Sequence, residues 1–150
     1  KQQQMDKRYL ALVAGRWPAR RDFVAARLDR YTLANGERRV RVDAEGKVAR
    51  TRFAVREAFP KVSLLEAEPV TGRTHQIRVH AAHAGHPLLG DDKYGTRESQ
   101  QLAARLGLSR LFLHAESLAF PEPTSGREVR IRAPLPDDLE SVLTRAREAL

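Results

Sequence analysis

Residues 72–95 read GRTHQIRVHAAHAGHPLLGDDKYG and gather four of the chain's five histidines with two arginines and two adjacent aspartates. Three chemistries fit these residue types. His80, His83 and His86 with Asp91 offer nitrogen and oxygen donors for a metal ion. A helical metal pair, however, wants an i, i+4 spacing with a glutamate inside it, and here the spacing is three, with Gly85 breaking the run before His86. A histidine at a helix end more often makes a backbone hydrogen bond than moves a proton, and His75 and His86 both stand at such ends. The third chemistry belongs to Arg73 and Arg78, which bracket the first turn of an expected helix. Free N–H groups there already favour an anion, and a guanidinium can hold a carboxylate or phosphate in two parallel hydrogen bonds. With a glycine-bearing loop directly after it, the stretch suits anion handling best; solvated surface arginines are the plain alternative.

The helix carrying these side chains is expected from Thr74, a fitting N-cap, to Gly85 at the C-cap, with Pro87 just beyond. Four strands precede it. Residues 9–15, YLALVAG, form an apolar run closed by a glycine. Residues 18–36 are basic and irregular and end in the Asn35-Gly36 turn signal. Residues 38–43 and 49–57 alternate, the latter placing Thr51, Phe53 and Val55 on one side and Arg50, Arg52 and Arg56 on the other. Residues 61–68 complete an expected antiparallel meander whose outer face is rich in arginine. After the glycine-bearing loop come a short helix at 98–106, two strands at 111–120 and 127–133, and a closing helix at 137–150. That last helix has Leu139, Val142, Leu143 and Ala146 at helical spacing. Without repeats or an internal linker, the chain is one α+β unit: a mostly antiparallel sheet flanked by short helices.

Lysine and arginine outnumber aspartate and glutamate 27 to 19, a formal charge of +8. That balance favours a polyanionic partner, nucleic acid first and an anionic membrane surface second. Hydrophobic residues are 41% of 150, enough for one domain with a core. No cysteine is present, which removes disulfides and thiolate metal sites. No apolar run approaches the roughly 20 residues of a membrane helix, and the opening KQQQMDKR lacks the apolar stretch of a secretory signal. The expected compartment is the cytoplasm, with no membrane partner.

TGRTHQIRVHAAHAGHPLLGDDKYG, residues 71–95, resembles the most characteristic motif of the bacterial RNA pseudouridine synthases of the large-subunit ribosomal type. DKRYLALVAGRW at residues 6–17 resembles the family's Lys-x-Tyr strand. RLFLHAESLAFPEPTSG and APLPDDL are similar to its C-terminal pattern, and ANGERRVRVDAEGKVARTRF to its C-type branch. The resemblance covers nearly the whole chain. It implies a mixed-sheet α+β catalytic core, a uridine of large-subunit (23S) ribosomal RNA as substrate, no metal or organic cofactor, and a monomer. It also implies roles for single residues. Tyr9 stacks on the flipped base, whose unstacking costs a few kcal/mol and whose stacking on an aromatic ring returns about 1–3 kcal/mol. Arg78 pairs with the catalytic aspartate, and Leu113 forms the apolar wall opposite the tyrosine. Lys7, Arg73, His75 and Gln76, together with Arg50 and Arg52 of the sheet, contact the RNA.

The family's aspartate lies in an Arg-Leu-Asp-x-x-Thr-Ser-Gly stretch, which Arg27-Leu28-Asp29 followed by Thr32 imitates. Asp29 is set aside, because that motif precedes the Lys-x-Tyr strand whereas Asp29 follows Tyr9, and Leu33-Ala34 stand where Ser-Gly belongs. The expectation is therefore a C-terminal portion of a catalytic domain, inactive alone, with the aspartate and any N-terminal RNA-binding domain upstream of residue 1. A non-catalytic basic RNA-binding module and a metal hydrolase built on His80, His83, His86 and Asp91 are the competing readings.

Overall fold

Period-two burial builds the sheet. In the computed structural model of the protein, which describes residues 5–149, strand β5 (Arg50–Ala58) buries Thr51 and Phe53 and exposes Arg50, Arg52 and Arg56. Strand β1 (Asp6–Ala14) instead buries every residue from Leu10 to Ala14, the pattern of a strand covered on both faces. It lies inside a six-stranded sheet of order β2-β5-β6-β1-β7-β8, in which β2 is Phe23–Ala25, β6 Val62–Pro69, β7 Leu113–Pro121 and β8 Glu128–Arg132. Every neighbouring pair is antiparallel.

Strands β3 (Leu28–Thr32) and β4 (Arg38–Val42) form a separate two-stranded sheet. The expected meander is thus corrected: β5, β6 and β1 are neighbours, but residues 38–42 leave them to pair with residues 28–32. Residues 28–32 read as irregular in the sequence because only Leu28 among them is buried and their partner strand supplies the alternation.

Each sheet face has its own core. On one, Leu10, Leu12, Leu64 and Phe112 pack with helices α2 (Arg97–Arg105) and α3 (Asp137–Ala149), the latter through Leu139, Val142, Leu143 and Ala146. Leu150, included in the expected helix, lies outside the described residues. On the other face, Ala11, Val13, Trp17, Phe53 and Leu65 pack with Ile77 and Ala81 of helix α1 (Gln76–His83).

Helix α1 starts one residue later than expected. Thr74 does not cap it; His75 occupies the N-cap in the left-handed region, φ 53°, with no side-chain cap. The side chain of Gln76 turns back and accepts the Arg73 N–H at 3.1 Å, which ties the chain entering the helix to its first residue. Helix α2 is capped reciprocally by Thr96 and Ser99. No helix among the described residues is long and apolar enough to cross a membrane.

Candidate active site

Lys7 and Tyr9 alternate with Arg8 along β1, so both point to the face that α1 covers. Leu113 of β7 pairs with Ala11 and faces the same way. Together with Arg73, His75, Gln76 and Arg78 they line a cavity of about 300 Å3, which Ile77 and Leu111 complete. Seven of the nine residues singled out from the sequence therefore converge on one cleft. A tyrosine ring faces apolar side chains there, with cationic side chains alongside.

Arg78 is not free within the cleft. Its Nε and Nη2 donate to the two carboxylate oxygens of Asp91 at 3.0 and 2.8 Å. The expectation that Arg78 offers its two-pronged edge to an aspartate from elsewhere is corrected, because a carboxylate of this chain already occupies that edge. Nη1 makes no hydrogen bond among the described residues. Asp91 is fully buried and also accepts the backbone N–H groups of Lys93 and Tyr94, each at 3.0 Å. Burial alone would raise its carboxyl, but the Arg78 hydrogen bonds and those two N–H groups outweigh it and hold the group ionised below its ordinary range.

The loop bearing Asp91 is shaped by glycine and tied to the small sheet. Gly90 has φ +82°, and a Cβ there would sit 2.0 Å from the Arg110 carbonyl oxygen. The Tyr94 hydroxyl accepts the Val40 N–H at 2.9 Å, and Lys93 pairs with Glu37. Tyr94 then serves the cleft twice. Its ring lies 5.2 Å from the Arg78 guanidinium carbon, and its hydroxyl stands 2.7 Å from His75 Nδ1. That hydroxyl, which already accepts from Val40, shares one further hydrogen bond with Nδ1. Burial, with Arg78 nearby, lowers the pKa of His75 and favours the neutral ring. Among the described residues His75 is the one non-glycine at positive φ, a strain typical of functional sites.

Gln76 lines the cavity but its amide is spent. Oε1 accepts from the Thr71 hydroxyl at 2.6 Å and from Arg73 N–H, while Nε2 donates to the Arg50 carbonyl at 2.7 Å and to Thr51 Oγ1 at 2.9 Å. All four hydrogen-bonding positions are filled from within the protein, so its expected contact with RNA is replaced by a structural one.

The remaining histidines do not converge. His80 is buried with both ring nitrogens engaged, by Thr51 and by the Ala26 carbonyl. His83 is exposed, and His86 Nδ1 bonds the Ala14 carbonyl at 2.8 Å. No group of three or more histidine, cysteine, aspartate or glutamate residues is placed to hold a metal ion among the described residues.

Arg50 and Arg52 stand on the opposite sheet face. With Arg8 they line a second hollow whose other walls include Asp22, Glu66 and Glu68, so acids match the arginines there. Both arginines lie over the Phe23 ring, 5.0 and 5.7 Å from its centre. Pleat direction sends them away from the cleft, and the balanced charge makes that hollow a poor phosphate site. Asp29 is also outside the cleft: it lines a neighbouring groove of about 420 Å3 with Arg30, Lys47 and Arg73, and pairs with Arg41 at 3.6 Å. Arg73 and Gly72 border both the groove and the cleft. Pro69, Thr71, Gly72, Ile77 and Leu111 line the cleft without having been assigned to it from the sequence, and Asp91 and Tyr94 support it through Arg78 and His75. A glycine on each side of Asp91–Tyr94 was the available signal.

Comparison with known proteins fits this geometry. Ribosomal large subunit pseudouridine synthase C of Yersinia pestis is 49% identical over 144 residues, covering 96% of this chain and 45% of that protein. The protein of the same name from Escherichia coli K12 is 49% identical over 147 residues, covering 97% and 46%. The chain thus spans less than half the length of these relatives. Among solved structures, human RNA pseudouridylate synthase domain containing 4 superposes with a TM-score of 0.74 at 27% identity, over 96% of this chain and 63% of that one. Human RNA pseudouridylate synthase domain containing 1 gives 0.72 at 27% identity, over 98% and 67%. The sequence profile described as RNA pseudouridylate synthase matches residues 1–83, which carry Tyr9, Arg73, His75 and Arg78. With that match across more than half of its residues, and the cleft built around them, the chain belongs to the RNA pseudouridylate synthase family.

Proposed function

We propose that this chain is the C-terminal portion of the catalytic domain of an enzyme that converts uridines of large-subunit ribosomal RNA to pseudouridine. It works in the cytoplasm, as a monomer and without metal or organic cofactor. The observation that carries the reading is the convergence of Tyr9, Leu113 and Arg78 on one cavity of about 300 Å3. In the reaction the N1–C1′ bond breaks, the base turns, and C5–C1′ forms; C5 gives up its proton and N1 gains one, so atoms balance. Tyr9 and Leu113 sandwich the extruded base, replacing part of the stacking lost from the RNA. Arg78 lends positive charge to an aspartate supplied from a segment preceding residue 1, keeping it ionised. Asp91 cannot replace that aspartate, being fully buried with both oxygens engaged. Lys7, Arg73 and His75 hold the RNA backbone at the cleft mouth.

The test is to assay residues 1–150 on ribosomal RNA alone and together with the N-terminal remainder of the protein. The chain alone makes no pseudouridine, and the added segment restores turnover. Clear conversion by residues 1–150 alone would overturn the division of labour and return Asp29 to consideration. RNA binding without turnover, even by the full-length protein, would favour a non-catalytic RNA-binding module.

A further inference from the structure

We propose that Asp91 is a positioning residue for the reaction: it locks the Arg78 guanidinium in one plane and so presents Nη1 to the cleft. The inference rests on the catalytic reading of Arg78. Four observations carry it. Asp91 grips Nε and Nη2 together, which fixes both the rotation of the guanidinium and its distance. Nη1 is the terminal nitrogen left without a partner among the described residues, and Arg78 lines the cavity with Tyr9. The carboxylate is itself held by the Lys93 and Tyr94 N–H groups, in a loop where Gly90 and Gly95 admit no Cβ without a clash: Gly95 would meet the Asp91 carbonyl at 2.3 Å. Finally, the Tyr94 ring lies beside the guanidinium, and Glu37 and Val40 of the small sheet fasten this loop from outside.

A chain of fixed contacts thus runs from β4 through the 90–95 loop to the cleft. A long, rotatable arginine held this way has no conformational freedom left to lose when substrate arrives. One prong of the fork remains for the reacting centre, so a point charge on a flexible stem is not equivalent.

The test is a double-mutant cycle on the full-length enzyme, using Arg78→Met, Asp91→Asn and the pair. Asp91→Asn keeps an acceptor for the two backbone N–H groups but loses the second oxygen that faces Arg78. It should lower kcat about 10- to 100-fold with KM for RNA within about twofold. In the Arg78→Met background the same change should cost nothing further, since the residue it acts through is gone, and should raise the melting temperature by removing an unpaired buried carboxylate. Equal losses in both backgrounds would show that Asp91 only holds the fold, and would overturn the inference while leaving Arg78 catalytic. Near-normal kcat in Arg78→Met would instead overturn the catalytic reading of Arg78, and the inference with it. If Asp91→Asn fails to fold, nitrogen NMR of the unmodified enzyme decides the matter. Locked rotation about the Arg78 Nε–Cζ bond resolves its terminal N–H signals, whereas averaging like that of exposed arginines sinks the proposal.

Discussion

Thr51 Oγ1 lies 2.8 Å from His80 Nδ1 in the interior, and the second ring nitrogen of His80 is 2.9 Å from the Ala26 carbonyl. The carbonyl must receive a proton, so Nε2 carries it and Nδ1 accepts from the threonine hydroxyl. Burial lowers the pKa of this histidine, against a smaller opposing pull from the Ala26 carbonyl. An unfolded chain takes up a proton below about 6.5 that the folded ring refuses. The contribution of His80 is therefore complete above that pH and is lost as pH falls towards the folded pKa. Chemical denaturation of the protein should show a lower midpoint at pH 5.5 than at pH 7.5. His80→Asn should flatten that difference while costing about 1–3 kcal/mol at neutral pH through the partners it strands. His75, lowered in the same direction, supplies the slope that remains.

Arg78→Met should damage stability and turnover together. Asp91 belongs to the same chain and is fully buried, so removing its cation leaves an uncompensated charge, at about 3–5 kcal/mol. Arg78→Lys should recover more of the melting temperature than of kcat, because the single ammonium is drawn to Asp91 and has no second prong for the cleft. Thermal melts beside steady-state turnover separate the two effects. Equal recovery of both would speak against a shared guanidinium.

Tyr9 should matter through its ring. Tyr9→Ala is expected to cost about 1–3 kcal/mol of base stacking in single-turnover kinetics, whereas Tyr9→Phe should stay near wild type in RNA affinity. If Ala and Phe behave alike, the base stacks elsewhere.

Salt dependence should locate the RNA path. Arg30, Lys47 and Arg73 line the groove that adjoins the cleft, whereas Arg50 and Arg52 share their hollow with acids. Neutralising any of the first three should reduce the log–log salt slope of RNA binding by about 0.7–0.9. Neutralising Arg52 should leave it unchanged. The reverse result would put the RNA on the other sheet face.

Elements with a strong period were legible from the sequence. β5 announces itself through alternating arginine and apolar residues, and α3 through Leu139, Val142, Leu143 and Ala146, all buried. β2 and β3 were not, because each hides a single residue, Val24 or Leu28, and owes its form to a partner strand, β5 for β2 and the hairpin neighbour β4 for β3. The start of α1 was misplaced because a threonine beside a helix looks like a cap, while the N-cap here is His75 in a left-handed conformation with no side-chain cap. Within the site, Tyr9, Arg78 and Leu113 were reached by resemblance, which carries residue roles but not their wiring. Nothing in the spacing of Arg78 and Asp91 reveals that a glycine-bent loop folds one back onto the other. Pleat direction likewise sends Arg52 and Phe53 to opposite faces, and the sequence alone does not say which face holds the cleft.

The position of β1 between β6 and β7 has a kinetic consequence. Tyr9 pairs with Ala67 on one side and with Ala115 on the other, both distant from it in sequence. One wall of the cleft, with α1, can assemble once β6 is made; the wall holding Leu113 arrives only when β7 adds to the sheet. Non-local antiparallel pairing of this kind folds slowly, because the loop must close before its contacts reward it. The cleft is thus completed only when β7 joins β1, late in the emergence of the chain from synthesis.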